Sequence, residues 1–320
     1  MNLISSLEGI PEDFGPCAIT LGNFDGVHLG HRELFRRLVK KARELHCLSV
    51  VYTFNPHPLK LLAPDRAPLL LNTLLEKRRL IAASHVDFLI EAPFTQEFAR
   101  MTPERFIDEI LIARLHVKAM IVGYDYAFGK CRKGNAAFLK SYGMNKGIDV
   151  DILQPVGEDG LPYSSTRIRN MVSTGEVSDV VALLGRQYNL EGCVVHGEQR
   201  GRALGFPTAN LITDKELLPA PGVYVVKIRY ARQEFGGVVN IGRRPTFGDG
   251  QQTIEVHLLD FTGTLYGETL RVYFIKRLRD ERKFSSAEEL SNTIAEDVLA
   301  ARQILQSTQL TQYQEYLSLR

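Results

Sequence analysis

The sequence contains no tryptophan, no low-complexity tract and no internal repeat. Its four cysteines, Cys17, Cys47, Cys131 and Cys193, are widely scattered and never form a Cys-x-x-Cys pair. That argues against a disulfide framework or a zinc knuckle and fits a reducing cytoplasm. No apolar run approaches the roughly 20 residues needed to span a bilayer, so no membrane partner is expected. The opening residues, MNLISSLEGIPEDF, are acidic and lack the basic stretch of a signal peptide. The net charge of +2 is too small to make a nucleic acid or an anionic membrane the principal partner. Two phosphate-binding fingerprints are also missing. There is no G-x-x-x-x-G-K-[ST], since GYDYAFGKC has one residue too many between its glycines, and no G-x-G-x-x-G.

What remains is an ordinary globular composition, 44% apolar and 24% charged, in a chain of 320 residues long enough for two domains. The first half alternates buried-type strands (17–24, 48–54, 86–94, 119–126 and 148–156) with helical patterns. Leu34, Leu38, Ala42 and Leu45 recur at helical spacing. In MTPERFIDEILIARLH, Thr102 reads as an N-cap, Pro103 as the first helical residue, and Phe106, Ile107, Ile110 and Leu111 as the inward face. Such alternation predicts a doubly wound α/β sheet. After about Arg186 the strands NLEGCVVHG, GVYVVKIRY, EFGGVVNIG, TIEVHLLDF and ETLRVYFIKRL are separated by Gly, Pro and Asn turns. That is antiparallel β, most economically a small barrel. A last amphipathic helix starts at Ser286, with Glu289 completing a capping-box pattern. The expected domains are 1–185 and 186–320.

In an open α/β sheet, ligands bind beyond the carboxyl ends of the strands. There the stretch LGNFDGVHLGHRELF sets Gly22, Gly26 and Gly30, whose bare backbone can approach a ligand, beside His28 and His31. A helix N-terminus favours phosphate, and two histidines at i, i+3 can donate hydrogen bonds to phosphoryl oxygens. Polar residues at a helix start would look the same in isolation, and a metal site would lack its third ligand. The second signal is SSTRIRNMV after the last parallel strand. Its Ser165, Thr166, Arg167 and Arg169 again suit phosphate at a helix start. Together the two motifs describe a grip on a triphosphate.

In the second half, VVHGEQRGRALGFPTANL spaces Gly197, Gly201 and Gly205 by four, with Arg200 and Arg202 between them. The glycines suggest a flexible loop; a Gly-rich hairpin with a Pro207-fixed turn is the plain alternative. If the following segment is extended, Thr208 and Asn210 share a face, and their hydroxyl and amide oxygens are hard donors fit for Mg²⁺ or Mn²⁺. In QTIEVHLLDF, Ile254, Val256 and Leu258 alternate with Glu255 and His257. Glu255 is then either a surface carboxylate or a base projecting into a site.

GNFDGVHLGH, TFNPHP, GYDYAFG and SSTRIR resemble the adenylyltransferase half of the bacterial bifunctional riboflavin kinase/FAD synthetase family, in the nucleotidyltransferase superfamily marked by H-x-G-H, here His28-Leu29-Gly30-His31. GRALGFPTAN, GVYVV, NIGRRPTF, IEVHLLDF and KRLRDERKFSS resemble its flavokinase half, in the same order. The resemblance implies a Rossmann-like domain followed by a six-stranded barrel with a C-terminal helix. It implies phosphorylation of riboflavin to FMN, then transfer of AMP from ATP to FMN giving FAD and pyrophosphate. His28 and His31 would stabilise the triphosphate, with Gly22, Asn23, Gly30, Ser165, Thr166, Arg167 and Arg169 around the nucleotide. Asn23, Phe24, Asp125 and Phe128 would help seat nucleotide or flavin. In the kinase half, Glu255 would activate the riboflavin 5′-hydroxyl and Thr208 and Asn210 would hold Mg²⁺ with the ATP phosphates. Gly197, Arg202, Gly205 and Pro207 would close over the nucleotide, and Arg277, Arg282 and Phe284 would border the flavin.

The sequence departs from the family's usual pattern at Pro162 and Tyr163, where an Arg is common, at Ala127, where Arg is frequent, and at Cys131 and Asn135. Two further readings therefore stand beside the bifunctional one: a kinase with a weakened adenylyltransferase, and a flavin-binding regulator without catalysis. A class I aminoacyl-tRNA synthetase shares a similar histidine signature, but this chain lacks the length and a basic extension. Riboflavin, FMN and ATP are the implied small-molecule partners; the oligomeric state, a monomer included, is left open.

Overall fold

The computed structural model of the chain describes residues 1–158, 160–197, 201, 204–243 and 252–312. The described residues fall into two compact units, Met1–Ser164 and Ser165–Gln312.

The first unit is built on six strands: β1 (Asn2–Ile4), β2 (Cys17–Leu21), β3 (Leu48–Asn55), β4 (Phe88–Pro93), β5 (Val117–Gly123) and, later in the chain, β8 (Asp149–Leu153). Their order is β1-β4-β3-β2-β5-β8 and all pairs are parallel. Five of them are the strands expected from the apolar runs; β1 joins the edge. Cys17, Ala18, Ile19, Thr20 and Leu21 are all buried, as a central parallel strand covered on both faces requires. Burying each large aliphatic side chain contributes about 1.5–3 kcal/mol, so this unpatterned run specifies the middle of the sheet. The chain runs outward from β2 through β3 to β4, then returns to place β5 on the other side of β2. The order therefore reverses at the β2/β5 boundary, and the loops leaving these two strands face the crevice where such sheets bind ligands.

Helix α1 (Leu29–Glu44) buries Leu34, Phe35, Leu38 and Ala42. Leu45, expected on the same stripe, is instead the C-cap and is exposed. After α2 (Pro58–Leu62), helix α3 (Leu74–Ala82) begins with a complete capping box between Thr73 and Glu76. Short helices α4 (Gln96–Ala99) and α5 (Pro103–Arg105) follow, and Thr102 accepts from the Arg105 N–H as predicted. Phe106, Ile107, Ile110 and Leu111 are buried, but the segment Phe106–Ile112 winds as a π-helix, a wider turn that a spacing argument does not foresee. Two small hairpins, β6 (Ala127–Phe128) with β7 (Gly134–Asn135) and β9 (Gly157–Glu158) with β10 (Leu161–Pro162), flank α6 (Ala136–Asn145) and β8.

The second unit starts with α7 (Ser165–Thr174) and α8 (Val180–Leu184). It continues into a closed barrel of six antiparallel strands, as the β grammar and the family resemblance led one to expect. These are β11 (Asn189–Val195), β12 (Ala209–Ile212), β13 (Gly222–Tyr230), β14 (Gln233–Arg243), β15 (Gln252–Leu258) and β16 (Thr269–Arg279), closed in the order β11-β12-β15-β14-β13-β16. Its interior is filled from alternate positions, among them Val226, Val239, Ile241, Val256 and Phe274. Helix α9 (Ala287–Gln306) closes the unit. Ser286 caps it by accepting from the Glu289 N–H, while the Glu289 carboxylate turns back to the N–H and hydroxyl of Ser285 rather than to Ser286.

Candidate active sites

The loop after β2 carries the two histidines. His28 is the N-cap of α1, in extended conformation, and His31 sits in the first turn, so the cap joins the pair instead of a shared helical stripe. The His31 N–H donates to His28 Nδ1 at 3.4 Å. A neutral ring that accepts at Nδ1 keeps its proton on Nε2, leaving that edge a donor. The two imidazoles stack with centroids 3.6 Å apart and planes 20° from parallel. Gly30 makes this possible, because a methyl there would lie 3.2 Å from the His28 ring. The Cβ of Tyr163, immediately before Ser164, lies 3.7 Å from the same position.

The loop is tightly wound. Phe24, Gly26 and Val27 have φ of 49°, 85° and 40°. For Phe and the β-branched Val this left-handed region is unfavourable, at about 1–3 kcal/mol each. Asp25 offsets that cost: its carboxylate accepts from the Leu71 N–H at 2.9 and 3.1 Å and from the Asn72 N–H at 3.3 Å. Asp25→Ala would leave buried N–H groups without their charged acceptor, a loss of about 1.5–3 kcal/mol. A lowered thermal midpoint and slowed FAD formation are expected, with FMN formation retained; unchanged FAD kinetics would refute this role of Asp25.

Around the loop, the Asn23 amide is hydrogen-bonded to His57 Nε2 at 3.1 Å, and Thr53 Oγ1 donates to the Asn23 carbonyl at 3.3 Å. Lys77 from α3 reaches the same Thr53 hydroxyl at 3.4 Å. Burial pushes the Lys77 amine below its ordinary value, with Glu91 and Asp25 pulling the other way. Glu91, opposite Thr53 in the sheet register, is held by Arg78 through contacts of 2.6–3.1 Å. Neither spacing nor residue type in the sequence marks His57, Lys77 and Glu91 as partners of this loop; the fold brings His57 to Asn23, and Lys77 and Glu91 to Thr53.

Phe24 is 2% exposed, with its ring edge-on to His31 (5.3 Å) and to Phe35 (5.0 Å). It backs His31 from beneath, and Gly22 leaves room for it, since a methyl at Gly22 would lie 2.9 Å from the ring. Asp125 is exposed after β5, beside Gly123. Phe128 belongs to a run of aromatic contacts with Phe106, Tyr126 and Phe138. Ser165, Thr166, Arg167 and Arg169 open α7, whose buried residues are Ile168 and Val172.

In the barrel unit, Asn210 on β12 pairs directly with Glu255 on β15, and Glu255 pairs on its other side with Asn240 on β14. A carboxylate thus stands between two amides at one register level. Ile254 and Val256 are buried, so this row lies on the outer face of the barrel. Asn210 is reached by the Gly-rich segment: a methyl at Gly197 would lie 2.1 Å from its amide nitrogen. Gly197→Ala is therefore expected to displace Asn210 or the loop, slowing FMN formation without changing FAD formation from supplied FMN. Normal FMN kinetics in that variant would show that the close approach is dispensable.

Thr208 precedes β12 by one residue, near Gly201. Pro207 is fixed through its carbonyl, which accepts from His257 Nδ1 at 2.8 Å, and Phe206 stands edge-on to the same imidazole. Gly205 has φ of 86°, in the region open to glycine. Arg202, like Arg200, lies outside the described residues.

Arg277 donates to the carbonyls of Pro221 (2.6 Å) and Thr174 (3.4 Å) and pairs with Asp280. Arg282 donates to Thr293 of α9 and lies 4.8 Å over the Phe284 ring, with Arg279 at 5.8 Å from the same ring. These three residues are thus ordered by protein partners. The stretch KRLRDERKFSS does not mark these partners by residue type or spacing.

Comparison with known proteins bears on both sites. A family model for FAD synthetase matches residues 10–167, and one for riboflavin kinase matches residues 184–305. The bifunctional riboflavin kinase/FMN adenylyltransferase of Escherichia coli K12 is 39% identical, covering 94% of this chain and 96% of its own. That of Pseudomonas fluorescens is 40% identical over 94% and 97%, and that of Haemophilus influenzae 38% over 96% and 100%. The crystal structure of a protein from Streptococcus pneumoniae described as a macrolide-efflux protein superposes with a TM-score of 0.85 at 35% identity, over 94% of this chain and 98% of that one. Efflux is said of that protein; among the described residues here, no helix is long and apolar enough to cross a membrane. Both family models match in chain order, and single relatives align with nearly all of both units. The chain belongs to the bifunctional riboflavin kinase/FMN adenylyltransferase family.

Proposed function

We propose that residues 1–185 carry FMN adenylyltransferase activity and residues 186–320 riboflavin kinase activity, so that the chain converts riboflavin to FMN and FMN to FAD with two molecules of ATP. The matched families and relatives support both reactions. They do not favour a kinase-only enzyme or a non-catalytic regulator.

For adenylyl transfer, the supporting observation is the stacked His28–His31 pair at the α1 N-terminus, beside the point where strand order reverses. An FMN phosphate oxygen attacks the α-phosphorus of ATP, the bond to the bridging oxygen breaks, and pyrophosphate leaves. Charge moves onto the leaving phosphates as this happens. Fixed N–H donors from the two imidazoles and from the helix N-terminus stabilise that charge. Asn23 and Asp125 border the substrates, Phe24 orients His31, and Phe128 offers an aromatic edge for the flavin. Ser165, Thr166, Arg167 and Arg169, at the start of α7, are assigned as phosphate contacts on the family resemblance.

For the kinase, the supporting observation is the Asn210–Glu255–Asn240 row. Glu255 accepts the proton of the riboflavin 5′-hydroxyl as its oxygen bonds to the γ-phosphorus and ADP leaves. Thr208 and Asn210 offer a hydroxyl and an amide oxygen. Such a sparse, hard donor set fits Mg²⁺ or Mn²⁺, which keep water and phosphate oxygens as their other ligands. When bound, the ion neutralises phosphate charge. Gly197, Gly205 and Pro207 border the nucleotide, and Arg202, between them in the sequence, is assigned to its phosphates. Arg277, Arg282 and Phe284 border the flavin. Chelation with EDTA is expected to stop FMN formation and Mg²⁺ to restore it; full FMN formation in EDTA would contradict this assignment. A cytoplasmic location agrees with the four unpaired cysteines and the use of ATP.

A further inference from the structure

A lysine stands behind the histidine loop, and the hydrogen bonds that run from it have a direction. Lys77, one turn into α3, is half-buried against the sheet. Its Nζ donates to Thr53 Oγ1 at 3.4 Å, and that hydroxyl donates to the Asn23 carbonyl at 3.3 Å. Thr53, near the carboxyl end of β3, is fully buried, so solvent does not compete for its hydroxyl.

An ammonium has three donors and no acceptor, whereas a hydroxyl has one proton and two lone pairs. While Lys77 is charged, Thr53 must accept from it, and its single proton is left for the Asn23 carbonyl. A neutral amine carries a lone pair and can accept. Thr53 can then turn its proton toward Lys77, and the Asn23 carbonyl loses its donor. The charge on Lys77 therefore decides which way the hydroxyl points.

The charged neighbours come from three elements. Glu91 of β4 pairs with Thr53 in the register, and Arg78 of α3 binds both of its oxygens. Asp25, in the loop after β2, accepts from the Leu71 and Asn72 N–H groups, and His57 lies at the Asn23 amide. Burial lowers the Lys77 amine from its ordinary value; Glu91 and Asp25 oppose this, and Arg78 adds to it.

The Asn23 carbonyl shares a rigid peptide plane with the Phe24 N–H. Phe24 has φ of 49°, and its ring stands edge-on to His31 at 5.3 Å. Holding that carbonyl holds Phe24, and with it the ring that backs His31. We propose that Lys77 is a positioning residue for adenylyl transfer: its ammonium sets the direction of the Thr53 hydroxyl, which fixes the Asn23 carbonyl and the loop that carries His28 and His31. The inference rests on this loop being the site of FAD formation.

The test measures kcat/KM for FMN against pH, which reports protonation of the free enzyme, in the full-length wild type, Lys77→Arg, Lys77→Met and Thr53→Val. FAD formation by the wild type is expected to fall on the alkaline side, as the ammonium is lost, and at a lower pH than an ordinary lysine would give. A guanidinium stays charged throughout this range, so Lys77→Arg should keep a rate within about threefold of the wild type near neutrality and lack the alkaline fall. Lys77→Met and Thr53→Val should be about tenfold slower near neutrality, with no alkaline fall either. FMN formation from riboflavin in the same samples should match the wild type at each pH, which reports folding. A lysine with a merely structural role would change the rate without moving the pH profile. An alkaline fall that persists in the variants would overturn the proposal. So would a Lys77→Met as fast as the wild type, or a Lys77→Arg as slow as Lys77→Met. A wild type that forms no FAD at any pH would overturn the reading of the loop itself, and this inference with it.

Discussion

Replacing His28 or His31 by alanine is expected to abolish FAD formation while riboflavin is still converted to FMN. In the proposed mechanism each imidazole is a fixed donor at a helix N-terminus, and removing one such donor costs about 10²–10³ in rate. The cost here should exceed that of an isolated donor, because the rings depend on each other. His28 Nδ1 accepts from the His31 N–H, and the rings stack at 3.6 Å. Losing His28 also removes the cap of α1, typically about 1 kcal/mol, whereas His31→Ala leaves the cap in place. The two variants should therefore differ in thermal stability but agree in lacking FAD formation. If either lost FMN formation as well while remaining folded, the two reactions would not be separable and the two-site account would fail.

Glu255→Gln is expected to do the reverse. It removes the proposed base at almost constant shape, keeps the row between Asn210 and Asn240, and should lower FMN formation by about 10²–10⁴. Rates of FAD formation from supplied FMN should match the wild type. An amide between two amides can still hydrogen-bond, so the variant should fold, and its loss of rate is chemical. Substantial FMN formation by this variant would assign the base elsewhere. The pair of experiments is stronger than either alone, since each variant serves as the folding control for the other half.

Much of the scaffold can be read from the sequence because burial dictates it. Parallel strands covered on both faces appear as unbroken apolar runs, and β2 is buried at every position. The barrel strands show the alternation of a one-sided surface, as in Ile254, Val256 and Leu258. Local caps were equally legible at Thr102 and Ser286. The π-helical winding of Phe106–Ile112 was not, because the same apolar residues face inward in either kind of turn.

The sites divide along the same line. His28, His31, Thr208, Asn210 and Glu255 stand out by type and spacing. Their supports do not. Asp25 accepts from backbone groups 46 and 47 residues away. His257 holds the Pro207 carbonyl across a separation of 50. Asn240 meets Glu255 only through the pairing of two strands. Phe24 shows the opposite limit. Its place in the motif suggested a substrate contact, yet its ring is buried against His31 and Phe35. A residue's position in a motif does not say whether it touches the ligand or the residue that does.

The claim that one chain performs two successive reactions is tested most directly by incubating the protein with riboflavin, ATP and Mg²⁺ and separating the flavins by chromatography over time. FMN is expected to appear first and then to be converted to FAD. FMN accumulating with no FAD would contradict it, leaving a kinase beside an adenylyltransferase fold that does not work.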